Sequence, residues 1–251
     1  MKTAQKLVKQ LSRISEGTTF CYSDLAIEPH EYFSAAKALE RLIGKGFIKR
    51  VSTGIFYKPK QTVFGEIRPK EEELVKPYLF DDGKRRAYIT GTTLYNRMGL
   101  TTQVPATIKI ASRDKRIFAS IGSLKGKPVK SYVDVTDENY PLLELLDALK
   151  DFKQIPDLDK KAGIALLKDR LNKLAIKEKR QLLKYALHYP PRVRAFLGAI
   201  LETAILETIH QVGKHGVREL EVLKESLNPL STYTYGLSKD LLPTVENWNL
   251  K

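Results

Sequence analysis

His30, Glu31, Ser34, Lys37 and Arg41 follow one another at steps of one, three, three and four residues, so a helix carries all five along one side. The imidazole, hydroxyl, ammonium and guanidinium of such a stripe donate hydrogen bonds, and the carboxylate accepts them. Base-pair edges in a major groove offer the complement: Lys37 can donate to guanine and Glu31 can accept from cytosine. A second reading of Glu31 stands beside this one, because an acid in the first turn of a helix also favours the helix dipole. Just downstream, Lys49, Arg50, Lys58 and Lys60 surround Ser52-Thr53-Gly54. These cations, with Arg41 from the helix and Thr53 at the bend, suit phosphates rather than bases.

Other chemistries find no comparable set. Gly44-Lys45-Gly46 lacks the spacing and the hydroxyl residue of a phosphate-binding loop. His210 and His215 miss the four-residue step that aligns two ligands on a helix, and His30 and His188 stand apart, so no metal is expected. Ser123, within Gly122-Ser123-Leu124, is not in a nucleophile elbow. Asp81-Asp82 reads as a solvated turn. Without a catalytic motif, neither enzymatic activity nor a cofactor is expected. The lone cysteine, Cys21, rules out an internal disulfide and a cysteine-rich zinc site.

The elements needed to position the basic stripe are legible around it. Pro29 suits the first turn of a helix, and Tyr32, Ala35, Ala36, Leu39, Leu42 and Ile43 form an inward apolar face that ends at Gly46. Upstream, Ala4, Leu7, Val8, Leu11 and Ile14 make a first helical stripe, Thr18 to Tyr22 a short strand, and Ser23 to Leu25 a second helix start. Two β-type runs, Ile48 to Val51 and Ile55 to Lys58, flank a bend that Gly54 permits. Helix, helix, basic-faced helix and hairpin is the order of a winged helix-turn-helix, which lays its last helix in the major groove of DNA.

A chain of 251 residues with a 42% hydrophobic share has room for two or three packed units. The net charge of +14 is the unusual quantity. Residues 1–68 hold twelve basic against six acidic side chains, residues 69–150 fourteen against eleven, and residues 151–251 seventeen against twelve. The first segment is the most basic per residue, as a phosphate-contacting unit requires. The last excess is spread over a longer segment and reads as solubility. Met1 to Lys6 has no leader-like apolar run, and Glu202 and Glu207 interrupt the longest apolar region, Val193 to Ile209. No membrane association is expected, and the expected location is cytoplasmic.

The fold class is therefore α+β and helix-rich, with three expected units: a winged helix-turn-helix over 1–68, a small α+β unit over 69–139 and a helical bundle over 140–251, the last two separate or joined as one domain. Gln61 to Pro69 reads as a linker with Phe64 packed down, and Glu71-Glu72-Glu73 open a short helix that ends near Pro77. In the middle unit, strands are expected at Ala87 to Thr90, Thr107 to Ser112 and Ser131 to Val135, with Thr92 capping a helix that Gly99 closes. Beyond Pro141 the apolar stripes are Leu142, Leu145, Leu146 and Leu149, then Ala162, Ala165, Leu166 and Leu174, then Leu182, Leu183, Ala186 and Leu187. The longest helix is expected over Val193 to Val212, central to the bundle, with Trp248 docking the C-terminal tail.

Three stretches together resemble a known family: Gly46-Phe47-Ile48-Lys49-Arg50 with Gly54-Ile55-Phe56-Tyr57-Lys58; the run from Tyr88-Ile89-Thr90-Gly91-Thr92 through Gly99-Leu100-Thr101-Thr102-Gln103-Val104-Pro105; and Pro190-Pro191-Arg192-Val193-Arg194 through Glu202 with Ser226-Leu227-Asn228-Pro229. They are similar to AbiEi-type antitoxins of bacterial type IV toxin–antitoxin, or abortive-infection, systems used in phage defence. The resemblance implies a winged helix that binds repeats in double-stranded DNA at its own promoter, acting as a transcriptional repressor. It further implies a C-terminal part that counters a nucleotidyltransferase toxin encoded alongside, often without a stable complex. It transfers no catalytic residue to a position in this chain. An enzyme that modifies the toxin in a kinase-like way, and a plain winged-helix regulator, stand as alternatives.

Overall fold

A computed structural model describes residues 3–63, 65–121, 124–207 and 215–251. Phe64, Ser123 and His210 lie outside them, as do the residues beyond Glu207 in the expected long helix. The fold is α+β, and no helix among the described residues is long and apolar enough to cross a membrane.

The N-terminal unit begins with α1 (Thr3–Arg13), whose Leu7 and Leu11 are buried, while Val8 stays largely in solvent. Strand β1 (Thr19–Cys21) follows, then two single turns of 3₁₀ helix (Tyr22–Asp24 and Pro29–Glu31) that lead into α2 (Tyr32–Gly44). The expected second helix is reduced to these turns for a local reason. The residue before a proline is pushed to extended backbone, and Glu28 sits at φ −70°, ψ 149°. The hairpin β2 (Lys49–Ser52) and β3 (Ile55–Tyr57) completes a three-stranded sheet of order β1-β3-β2, antiparallel throughout. Gly54 turns that hairpin at φ +77°, a conformation that favours glycine. Leu7, Leu11, Phe20, Leu25, Ala35, Leu39, Ile48 and Phe56 share one core. The order and pairing are those of a winged helix-turn-helix.

Residues 61–69, expected to be a linker, form a second hairpin, β4 (Lys60–Thr62) and β5 (Gly65–Ile67). Helix α3 (Glu71–Leu79) runs through Pro77, and β6 (Phe80–Asp81) and β7 (Lys84–Arg85) make a tight hairpin at Asp82-Gly83. β8 (Ala87–Thr90), α4 (Thr92–Met98) and β9 (Thr107–Ser112) fall where expected. Gly91 rather than Thr92 is the capping residue of α4, at φ +72°, ψ −155°, a region reserved for glycine. The next strands are β10 (Ala119–Ile121) and β11 (Leu124–Lys130), giving the sheet order β10-β11-β9-β8 with β9 and β11 parallel. Ser131 to Val135, expected as a strand, is irregular instead; the Ser131 hydroxyl donates to the Val133 carbonyl and turns the chain back.

Both faces of β8 are covered. Ala87 and Ile89 join Val75, Ile108 and Ile110 against α3, while Tyr88 faces α5 (Tyr140–Asp151). From Tyr88 to Leu250 a single core continues through α6 (Lys160–Lys173), α7 (Ile176–Ala186), α8 (Pro191–Glu207) and α9 (His215–Glu225). Ile164, Leu167 and Leu171 form the buried stripe of α6, and Ala162 and Ala165 are exposed, contrary to expectation. Gly163 sets that rotation: an added Cβ would lie 2.9 Å from Leu158 and 3.2 Å from Phe152. Leu187, also expected inward, is exposed. The C-terminal charge excess is concentrated rather than spread, since Lys160 to Lys184 hold nine cations against Asp169 and Glu178. Trp248 is buried over Gly198 and donates from Nε1 to Glu202 Oε2 at 2.6 Å, so the tail docks as expected.

Candidate nucleic-acid interface

Helix α2 is held on one side and open on the other. Ala35, Ala38 and Leu39 are buried against Leu7, Leu11 and Phe56, and small alanines let the helix approach closely. The C-terminal end closes by a Schellman pair: Gly46 N donates to the Ile43 carbonyl at 2.9 Å and Phe47 N to the Leu42 carbonyl at 3.0 Å, with Gly46 at φ +71°. The outward face presents Ser34, Lys37, Glu40, Arg41 and Lys45, all exposed. His30 is exposed in the turn just before it.

Phe33 shares that outward face, a position that charge alone does not mark. It is 73% exposed, and Lys37 Nζ lies 4.6 Å from its ring centre. Tyr32, expected inward, is 49% exposed. The available signal is the spacing: Phe33 precedes Lys37 by four residues and Arg41 by eight, which aligns all three on one side.

Glu31 is engaged elsewhere. Its carboxylate accepts from Lys6 Nζ at 3.2 Å, from Thr3 Oγ1 at 3.1 Å and from the Glu28 backbone N–H at 3.4 Å. These bonds, Lys6 foremost, hold its pKa below the ordinary carboxylate value. Glu31 therefore ties α1 to the start of α2, and the cytosine-accepting role assigned to it is not supported by its geometry.

The hairpin cations divide in the same way. Arg50 is exposed, with its guanidinium 5.6 Å from the Phe56 ring centre, and Thr53 is exposed at the tip. Lys60 is exposed on β4. Lys58 is not a free phosphate ligand: its ammonium donates to the Ile14 carbonyl at 3.0 Å, next to the C-terminus of α1. Lys49 pairs with Glu66 at 2.6 Å, which raises the Lys49 pKa and lowers that of Glu66. The hairpin β4–β5 thus supplies a competing carboxylate that the linker reading could not contain. What remains outward is Phe33, Ser34, Lys37, Glu40, Arg41 and Lys45 on α2, with His30, Arg50, Thr53 and Lys60 around it.

The hairpin of this unit is also fastened to the rest of the chain. Ser52 Oγ and Tyr78 Oη lie 2.8 Å apart, Thr19 Oγ1 donates to the Glu73 carbonyl at 2.7 Å, and Val51 packs on the core under α3.

Three residues of the stretch Tyr88 to Pro105 converge on α5. Tyr88 Oη and Thr90 Oγ1 donate to Asp147 Oδ2 at 2.9 and 2.7 Å, and Tyr95 Oη donates to Asp151 Oδ2 at 2.7 Å. Lys150 Nζ lies 2.8 Å from Asp147 Oδ1 and 3.9 Å from Asp151. Burial opposes the Lys150 charge, but the two aspartates outweigh it and the pKa is raised. Burial, aided by the same aspartates, pushes the hydroxyl pKa values of Tyr88 and Tyr95 far upward, so both remain donors. Tyr88, Thr90, Tyr95, Asp147, Lys150 and Asp151 each find a partner within the fold, which makes this a clamp between β8, α4 and α5. Among the described residues no group of three or more His, Cys, Asp or Glu is arranged to hold a metal ion.

Residues 6–122 match the model of a family of unknown function (DUF6088). A comparison with curated proteins finds no match. The crystal structure of the RV2827C protein from Mycobacterium tuberculosis is similar in fold along nearly the full length, with a TM-score of 0.52 at 13% identity, covering 98% of this chain and 90% of that one.

Proposed function

We propose that this chain is a sequence-specific binder of double-stranded DNA that represses its own operon, and that its larger body neutralises a nucleotidyltransferase toxin encoded alongside, in the cytoplasm. The observation that carries the DNA reading is the outward face of α2: an aromatic ring, a hydroxyl and two cations at helical spacing, beside a hairpin with Arg50 and Thr53 outward. A helix so equipped lies in the major groove, with its N-terminal residues at base edges and the hairpin cation on phosphate. The basic excess of residues 1–68 supports the same partner. The antitoxin half rests on the resemblance of Tyr88 to Pro105 and Pro190 to Glu202 to AbiEi-type antitoxins. The Asp147 clamp gives the first of these stretches a scaffolding role in that body.

The test is a reporter driven by the DNA upstream of the operon, read together with survival when the adjacent toxin gene is induced. Full-length protein is expected to silence the reporter and rescue growth. Lys37→Ala/Arg41→Ala is expected to release the reporter while still rescuing growth. A reporter indifferent to the wild-type chain would refute the repressor reading; a lethal toxin that the chain fails to counter would refute the antitoxin reading.

A further inference from the structure

We infer that Phe33 reads the 5-methyl group of a thymine, an inference that rests on the DNA-binding reading above and names the base that its central face selects. A phenyl ring that is 73% exposed gains nothing from the protein core, and single exposed apolar residues are common on protein surfaces. Phe33 differs in its company. It lies on the same side of α2 as Lys37 and Arg41, one residue before Ser34, and near the N-terminal end of the helix, the end that reaches base edges. Lys37 Nζ lies 4.6 Å from the ring centre, which sets an apolar surface and a hydrogen-bond donor side by side.

The methyl group of thymine is the one apolar substituent that a base pair projects into the major groove. An outward ring on a reading face therefore has one apolar complement there, and the neighbouring ammonium can donate to the N7 or O6 of an adjacent guanine. Docking of a second copy on the same ring is disfavoured by charge. A two-fold contact places the same patch on both sides, so Lys37, Arg41 and Lys45 would face their own copies with Glu40 as the nearby acid.

The experiment uses the full-length chain and a duplex selected by it from a random-sequence pool. Each thymine of the selected site is replaced in turn by deoxyuridine, which removes only the methyl group. Wild-type protein is expected to lose about fourfold in affinity at one thymine, the worth of one methyl withdrawn from water. Phe33→Ala is expected to bind the thymine duplex with a similar loss and to be indifferent to deoxyuridine at that position. Indifference of the wild type to every replacement, or retained discrimination in Phe33→Ala, overturns the inference and leaves DNA binding intact. A change in sedimentation of Phe33→Ala, with unchanged duplex affinity, overturns it in favour of a second copy. Failure to select any duplex overturns the DNA reading as well. The wild-type measurement needs no variant, so it stands whatever Phe33→Ala does to folding.

Discussion

Asp147 Oδ1 and Lys150 Nζ lie 2.8 Å apart, one turn from each other on α5, and Asp147 is 1% exposed. Two charges taken out of water are retained only where every remaining bond is made, and here Tyr88 and Thr90 complete the set. Removing one partner leaves the other charge buried. Asp147→Ala is expected to lose about 3–5 kcal/mol in urea unfolding, and Tyr95→Phe only about 0.5–1.5 kcal/mol for one hydrogen bond. The raised pKa of Lys150 means that its share of stability is constant below the ordinary lysine value of 10.5 and is lost as pH rises through the higher folded value. Equal effects for the two variants would contradict the clamp.

Gly198 lies under Trp248, the one tryptophan of the chain, so a Cβ at that position would clash with the ring. Gly198→Ala is expected to cost about 1–3 kcal/mol through overpacking and to shift tryptophan emission to the red as the tail lifts. Unchanged emission at unchanged stability would show that the tail is not seated there.

Glu31 holds α1 to α2 with a carboxyl whose pKa lies below the ordinary 4.5. A lowered carboxylate contributes stability that is present above the unfolded value and disappears as pH falls through the folded one. Glu31→Gln is therefore expected to be less stable than wild type at neutral pH and indistinguishable from it near about pH 2. Chemical denaturation at both pH values reads the difference, and a gap that persists in acid would rule out the ion pair as its source.

Burial, with Asp24 adding to it, pushes the Cys21 thiol up to about 11. The thiolate is the reacting form, so iodoacetamide is expected to modify folded protein at neutral pH far more slowly than urea-unfolded protein. Comparable rates would mean that the thiol is not held in this setting.

Local patterns carried much of the N-terminal unit. The stripe Ala35, Leu39, Leu42 and Ile43, the stop at Gly46 and the bend at Gly54 identified α2 and its hairpin, because apolar spacing and glycine conformation are properties of neighbours in sequence. The hairpin 60–67 escaped since its strands are short and exposed, with no buried face to print an alternation. β11 escaped for a similar reason: Lys125-Gly126-Lys127-Pro128 has no apolar period. The partners of Glu31, Lys49 and Lys58 are distant elements, and no spacing encodes the Ile14 carbonyl under Lys58 or the Glu66 carboxylate beside Lys49. Asp147 lies inside a leucine stripe, and its partners Tyr88 and Thr90 come from β8, more than fifty residues away in sequence.

The central claim is that the outward face of α2 binds a specific duplex, and anisotropy titration of the full-length chain across salt concentrations tests it most directly. With DNA from upstream of its own operon, the account predicts affinity at least about a thousandfold above a scrambled duplex, with log Kd rising linearly with log salt. Lys37→Ala is expected to narrow that ratio, and Arg50→Ala to weaken both duplexes alike and reduce the salt slope by about one. Equal affinity for the two duplexes, with Lys37→Ala and Arg50→Ala indistinguishable from wild type, would contradict it.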